Sequence, residues 1–124
     1  MTEGVAAFTV EVRAAVEAAY TRLTWDDIVA VMSAHPRIGA RAQGASAAEQ
    51  SGVTDDLRPA LAAANQAYEQ RFGHIFLTCA NGRGGADILA ELRSRLENDD
   101  DTERAVVTGE LLKIALLRSE RLLA

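Results

Sequence analysis

Phe8, Val12, Val16, Ala19 and Leu23 recur every three or four residues, the spacing that puts them on one side of a helix. The pattern predicts an amphipathic helix over residues 9–22. Ile28, Val31 and Met32 repeat it between Thr24 and Ser33, with Thr24 placed as N-cap and Asp26 and Asp27 in the first turn. Pro36 disfavours the α conformation at His35, so this second helix ends at or just before the histidine. Residues 38–45 read as a loop with glycines at 39 and 44. Ser46-Ala47-Ala48-Glu49 has the spacing of a capping box and predicts a short helical turn that Gly52 ends.

Leu57, Leu61, Ala64, Tyr68 and Phe72 form the next stripe. Pro59 is tolerable only in a first turn, so Asp56 is the expected cap. Gly73 is the natural closing residue. His74 to Ala80 (HIFLTCA) is short, apolar and β-branched, and it reads as extended. One strand cannot make a sheet, so the segment is expected as a buried extended link. A helix follows from Asp87 to Asn98 with Ile88, Leu89, Leu92 and Leu96 on its face. Asp99-Asp100-Asp101 then caps the last helix, whose stripe is Val107, Leu111 and Ile114. Arg118 sits at the next i+4 step, so a guanidinium lies on the inward face. The expected fold is all-α: a single-domain helical bundle over residues 1–124 with one short extended link.

Composition narrows the function more than the fold. A chain of 124 residues suffices for one core, and 48% apolar with 25% charged residues is ordinary for a globular protein. A net charge of −5 speaks against nucleic-acid binding, which needs a basic face. No apolar run approaches the roughly 18 residues of a membrane span. The N-terminus lacks a signal-peptide pattern. The single cysteine, Cys79, cannot form an intrachain disulfide and fits a reducing cytoplasm, the expected location.

Each candidate for chemistry has a plainer structural reading beside it. His35 is either a general acid/base or a cap at a negative helix end. Glu49, with Ser46 and Gln50, is either a site carboxylate with hydrogen-bonding partners or only the capping box, whose N-terminal N–H groups can still bind an anion. Arg118 either grips a carboxylate bidentately or covers the core with its stem while its head reaches water. Phe76 to Ala80 either offer backbone groups that lack ladder partners or simply pack. Nothing pairs Cys79 with a base. His74 follows a helix-ending glycine and is expected to be exposed. Gly82-Arg83-Gly84-Gly85 lacks the Lys-Ser/Thr ending of a phosphate loop, and two histidines in unrelated contexts do not make a metal site.

Taken together, AHPRIG at 34–39, SAAEQSG at 46–52, NQAYEQRFGHIFLTCANGRGGADIL at 65–89, LRSRLEND at 92–99 and ELLKIALLR at 110–118 run in the order of a known family. The chain resembles 2-oxo-4-hydroxy-4-carboxy-5-ureidoimidazoline (OHCU) decarboxylase, which acts late in urate breakdown. The resemblance covers most of residues 25–120. It departs at the N-terminus, where the first 20 residues match loosely and family members usually carry a longer portion with an extra helix and a Ser-Pro-Trp-like segment. It implies an all-α, cofactor-free carboxy-lyase that yields (S)-allantoin and carbon dioxide. By the same resemblance His35 is the catalytic acid/base, Pro36 shapes the pocket beside it, and Ser46, Ala47, Ala48, Glu49 and Gln50 line the substrate. Glu49 is then the nearby catalytic carboxylate. Phe76, Leu77, Thr78, Cys79 and Ala80 contribute mainly backbone contacts, and Arg118 binds the anionic end. A homodimer is the usual family assembly.

Residues 35, 49 and 118 are therefore expected to converge on one cleft walled by the 76–80 backbone. Two other readings remain open on the sequence. One is a non-catalytic helical module that binds a partner through its acidic surface. The other is a related enzyme acting on a different ureido or hydantoin compound. A large exposed apolar patch would favour the first.

Overall fold

The N-terminal helix begins well before Thr9. In the computed structural model, which describes residues 2–35 and 55–123, α1 spans Thr2–Thr21 and α2 spans Trp25–Met32. No proline stands ahead of Thr9 and Glu3, Ala6 and Ala7 favour helix, so nothing stops the helix there. A capping box opens α2: the Asp27 N–H donates to Thr24 Oγ1 at 3.2 Å, and the Thr24 N–H donates to Asp27 Oδ2 at 2.9 Å. At its other end the chain tightens. The Ala34 N–H reaches the Val31 carbonyl and the His35 N–H reaches the Met32 carbonyl, at 3.1 and 3.0 Å. These three-residue steps satisfy carbonyls that a helix end leaves open. They hold His35 just past the helix. Pro36 and residues 46–50 lie outside the described residues, as does the expected turn at Ser46.

A 3-10 turn, Asp55–Leu57, leads into α3, Arg58–Phe72. Pro59 falls in the first turn, as its missing N–H demands. Asp56 is not the cap, however. Leu57 takes that position with helical backbone angles and no side-chain cap, because the 3-10 turn delivers the chain already wound. Gly73 ends α3 at φ +80°, donating its N–H to the Glu69 carbonyl at 2.8 Å. That conformation costs an L residue about 1–2 kcal/mol, which explains a glycine there.

After the link, α4 spans Gly85–Arg95 and α5 spans Asp100–Leu123. Helix α4 starts before the expected Asp87, with the Ile88 N–H bonded to the Gly84 carbonyl. It gives way to single turns from Leu96 to Asn98. Asp99 caps α5 by accepting the Thr102 N–H at 2.7 Å. Helix α1 packs along α5, and α3 packs against α4.

Two apolar clusters form the core. Leu61, Tyr68, Phe76, Ala80, Ile88, Leu89 and Leu92 make one, between α3 and α4. Ile28, Met32, Leu77, Val107, Leu111 and Ile114 make the other, between α2 and α5. The link runs between them with no helix or strand of its own. Phe76 and Ala80 enter the first cluster, while Leu77 enters the second with Ile75 and Cys79 packed against it. Extended backbone sends successive side chains to opposite sides, so a single segment closes both cores. Among the described residues no helix is long and apolar enough to cross a membrane.

Candidate functional site

A cleft of about 330 Å³ opens where α2 ends and the link begins. Its described lining is Val29, Met32, Ser33 and His35 from α2 and the turn after it, with Gly73, His74 and Ile75 from the start of the link. Both histidines of the chain thus face one cavity. His35 is half-buried there. Met32 and Ile75 anchor the cleft floor in the second apolar cluster.

His74 is not the exposed residue expected from the sequence. Its ring is half-buried among three aromatic side chains. Trp25 and Tyr68 meet it edge-on, with centroids at 5.3 and 5.5 Å, and Phe72 stacks at 6.1 Å. The ring Nδ1 lies 3.0 Å from the Ile75 carbonyl oxygen. A carbonyl only accepts, so this nitrogen carries the proton.

Tyr68 is itself fixed from below. Its hydroxyl donates to Glu103 Oε2 at 2.5 Å. Glu103 is fully buried and takes a forked grip from Arg95, with Nη2 to Oε2 at 2.6 Å and Nε to both oxygens at 2.9 and 3.1 Å. The Arg95 guanidinium also covers the Phe76 ring at 4.5 Å. Burial alone would lower the Arg95 pKa, but the Glu103 carboxylate outweighs it and holds the group further toward its charged form. Burial, reinforced by the same carboxylate, pushes the Tyr68 phenol well above its ordinary value. The phenol therefore stays a neutral donor.

The link's backbone is held by side chains where a sheet would have used a ladder. Arg95 Nη1 donates to the Leu77 carbonyl at 2.9 Å. Glu110 Oε1 accepts the Thr78 hydroxyl at 2.7 Å and the Cys79 N–H at 3.3 Å. Arg83 bridges Thr78 and Glu91, and Glu91 in turn meets Arg95 at 2.9 Å. Lys113 closes the other end on Glu110 at 2.6 Å. Three cations and three carboxylates alternate through this network. At least two of the backbone groups expected to meet a ligand, the Leu77 carbonyl and the Cys79 N–H, already have protein partners. Phe76, Leu77, Thr78 and Ala80 are buried, and Cys79 is half-buried.

Arg118 is half-buried on α5, one turn beyond Ile114. Burial raises the pKa of Tyr20 on α1, and the nearby Arg118 charge pulls it partly back. Tyr20 packs against the cluster that also holds Met32 and Ile75. Ser46, Ala47, Ala48, Glu49, Gln50 and Pro36 lie outside the described residues. Among the described residues no group of three or more His, Cys, Asp or Glu is placed to hold a metal.

The carboxylates of the network set an acid limit on stability. Burial pushes Glu110 up, but hydrogen bonds from Lys113, Thr78 and Cys79 outweigh it and leave its pKa below the ordinary value. Glu91 is lowered likewise, burial being overcome by Thr78, Arg95 and Arg83. A carboxyl whose pKa drops on folding binds fewer protons in the native state, so its contribution is complete above the unfolded pKa. It is lost as pH falls through the lower folded value. Urea midpoints should thus hold steady above about pH 5 and fall below about pH 4.3, the ordinary glutamate range. Glu110→Gln should flatten that fall. An unchanged acid limb in the variant would remove Glu110 from this account.

Sequence reasoning missed His74, Arg95 and Glu103, although each left a signal. Arg95 stands three residues after Leu92 and seven after Ile88, on the apolar side of α4. Glu103 and Glu110 precede Val107 and Ile114 by one turn each, on the apolar side of α5. Opposite charges on the inward faces of two helices imply a buried pair. His74 alternates with Phe72 and Phe76, which marks an aromatic surround.

Comparison with known proteins agrees with this architecture. The family model described as OHCU decarboxylase matches residues 6–120, reaching further toward the N-terminus than the quoted motifs do. The uric acid degradation bifunctional protein TTL of Arabidopsis thaliana is 31% identical over 115 residues, covering 83% of this chain. The chain spans only 36% of that protein's length. A crystal structure of OHCU decarboxylase in the presence of (S)-allantoin aligns with a TM-score of 0.83 at 28% identity, over 93% of this chain and 81% of the other.

Proposed function

The chain belongs to the OHCU decarboxylase family, and from that premise we propose that it converts OHCU to (S)-allantoin and carbon dioxide in urate catabolism. The observation that carries the reading is His35, held by the tightened end of α2 on the lining of a cleft sized for a small molecule. In the reaction the bond to the carboxylate breaks, and its electron pair passes into the adjacent C=N of the substrate ring. Carbon dioxide leaves and the ring nitrogen takes up a proton; a second proton then adds to the ring carbon that bears the ureido group while the neighbouring hydroxyl gives up its own and becomes a carbonyl. That second step creates the stereocentre, so the donor must stand on one face. The His35 imidazole is the donor in this reading. The reading routes no step through a cofactor, because the substrate contains its own electron sink.

Glu49 is proposed as the carboxylate that orients His35, with Pro36, residues 46–50 and the 76–80 segment around the substrate. Arg118 is proposed to grip the anionic end, for which a planar guanidinium is suited. Arg118→Lys should raise KM by tenfold or more while Tm stays within a few degrees, because an ammonium cannot reproduce the bidentate fork. Unchanged KM and kcat would remove Arg118 from the site. A cytoplasmic homodimer completes the proposal, and sedimentation analysis tests the dimer.

The decisive assay uses OHCU generated fresh from urate. Its spontaneous decay gives racemic allantoin, so the active protein should speed the decay and leave optically active product. No acceleration from a folded sample would overturn the reading.

A further inference from the structure

Resting on that reading, we infer that His74 is a second substrate-binding imidazole, presenting Nε2 to the cleft as a fixed acceptor for a ureido N–H. Three observations lead there. His74 lines the same cleft as His35, beside the apolar side chains of Val29, Met32 and Ile75. A placed polar acceptor among apolar walls gives a bound molecule both a hydrogen bond and a fixed orientation. The Nδ1 contact to the Ile75 carbonyl sets the tautomer, so in the neutral ring Nε2 has a lone pair and no proton. The three surrounding aromatic rings leave the imidazole little room to turn.

Proton transfer stays with His35 as proposed above, and the inference assigns His74 binding alone. The ligand class follows from the chemistry: a small, neutral-ended ureido compound has N–H donors for an imidazole acceptor and a planar amide edge that fits a narrow apolar slot.

The test uses (S)-allantoin as a stable ureido probe beside the turnover assay. On adding (S)-allantoin to protein labelled with ¹⁵N-histidine, the His74 Nε2 resonance should move while Nδ1 stays protonated. His74→Phe keeps an aromatic ring but loses the acceptor, and it should raise KM about tenfold with kcat changed less than about threefold. His74→Gln supplies an amide oxygen and should recover most of the loss. A structural role alone would lower Tm without this split or this rescue. If His74→Phe fails to fold, the ¹⁵N titration of the native protein and the His74→Gln kinetics still decide. Turnover by the native protein with an unmoved Nε2 resonance and a normal KM in His74→Phe would overturn the inference and leave the decarboxylase reading standing. A moved resonance without any acceleration of OHCU decay would do the reverse. Neither response would overturn both.

Discussion

His35→Asn should retain its fold, lose most of its turnover, and release allantoin without optical activity. A positioned general acid contributes about 10²–10⁴-fold in rate, so a loss of that size is the expected result. Asparagine keeps a polar group of similar reach but cannot pass a proton. The side chain lies past the end of α2 and outside both apolar clusters, so stability should change by less than about 1 kcal/mol. The rate and the stereochemistry report separate steps. Acceleration with racemic product would mean that carbon dioxide loss is assisted but protonation is not directed. Full activity with full chirality in the variant would dismiss His35 as the donor.

The second large effect belongs to Arg95 and Glu103. Removing one member of a buried ion pair leaves the other charge desolvated and alone, at a cost of about 3–5 kcal/mol. Glu103→Leu strands Arg95 and releases the Tyr68 hydroxyl. For a chain of this size Tm should fall by about 12–20 °C, at roughly 4 °C per kcal/mol. Arg95→Met strands Glu103 and frees the Leu77 carbonyl, with a similar result. The double variant should be more stable than the sum of the two losses predicts, because neither charge is then orphaned. Additive losses would show that the two residues act separately, against the geometry of the fork.

These residues also mark the limit of what the sequence disclosed. Helical periodicity located α2 through α5, because apolar residues at three- and four-residue steps have no other common use. Thr24 announced the α2 cap, and Gly73 the end of α3. The link was legible as extended because HIFLTCA lacks helical spacing and is bounded by glycine. What periodicity could not show was which inward-facing charges meet. Arg95 and Glu103 are eight residues apart on different helices, and only the turn from Leu96 to Asn98 aims one at the other. His74 was misjudged for a related reason. Its local context suggested an exposed turn, while Trp25, distant in sequence, supplies part of its cage. His35 and the link were marked out by the resemblance as well as by spacing, and the cleft where His35 meets His74 emerged from the fold.

The link's position between two cores has a consequence for how this chain can vary in length. Irregular connections usually accept an added or missing residue, because they run over the surface. Here parity matters. Deleting one residue between Phe76 and Cys79 would turn every following side chain to the opposite side, sending Cys79 toward the first cluster and Ala80 toward the second, much as a one-residue slip does in a strand. The network would slip as well, since Arg95 and Glu110 are set for the Leu77 carbonyl and the Cys79 N–H. A segment without regular secondary structure thus has a tightly fixed count of residues.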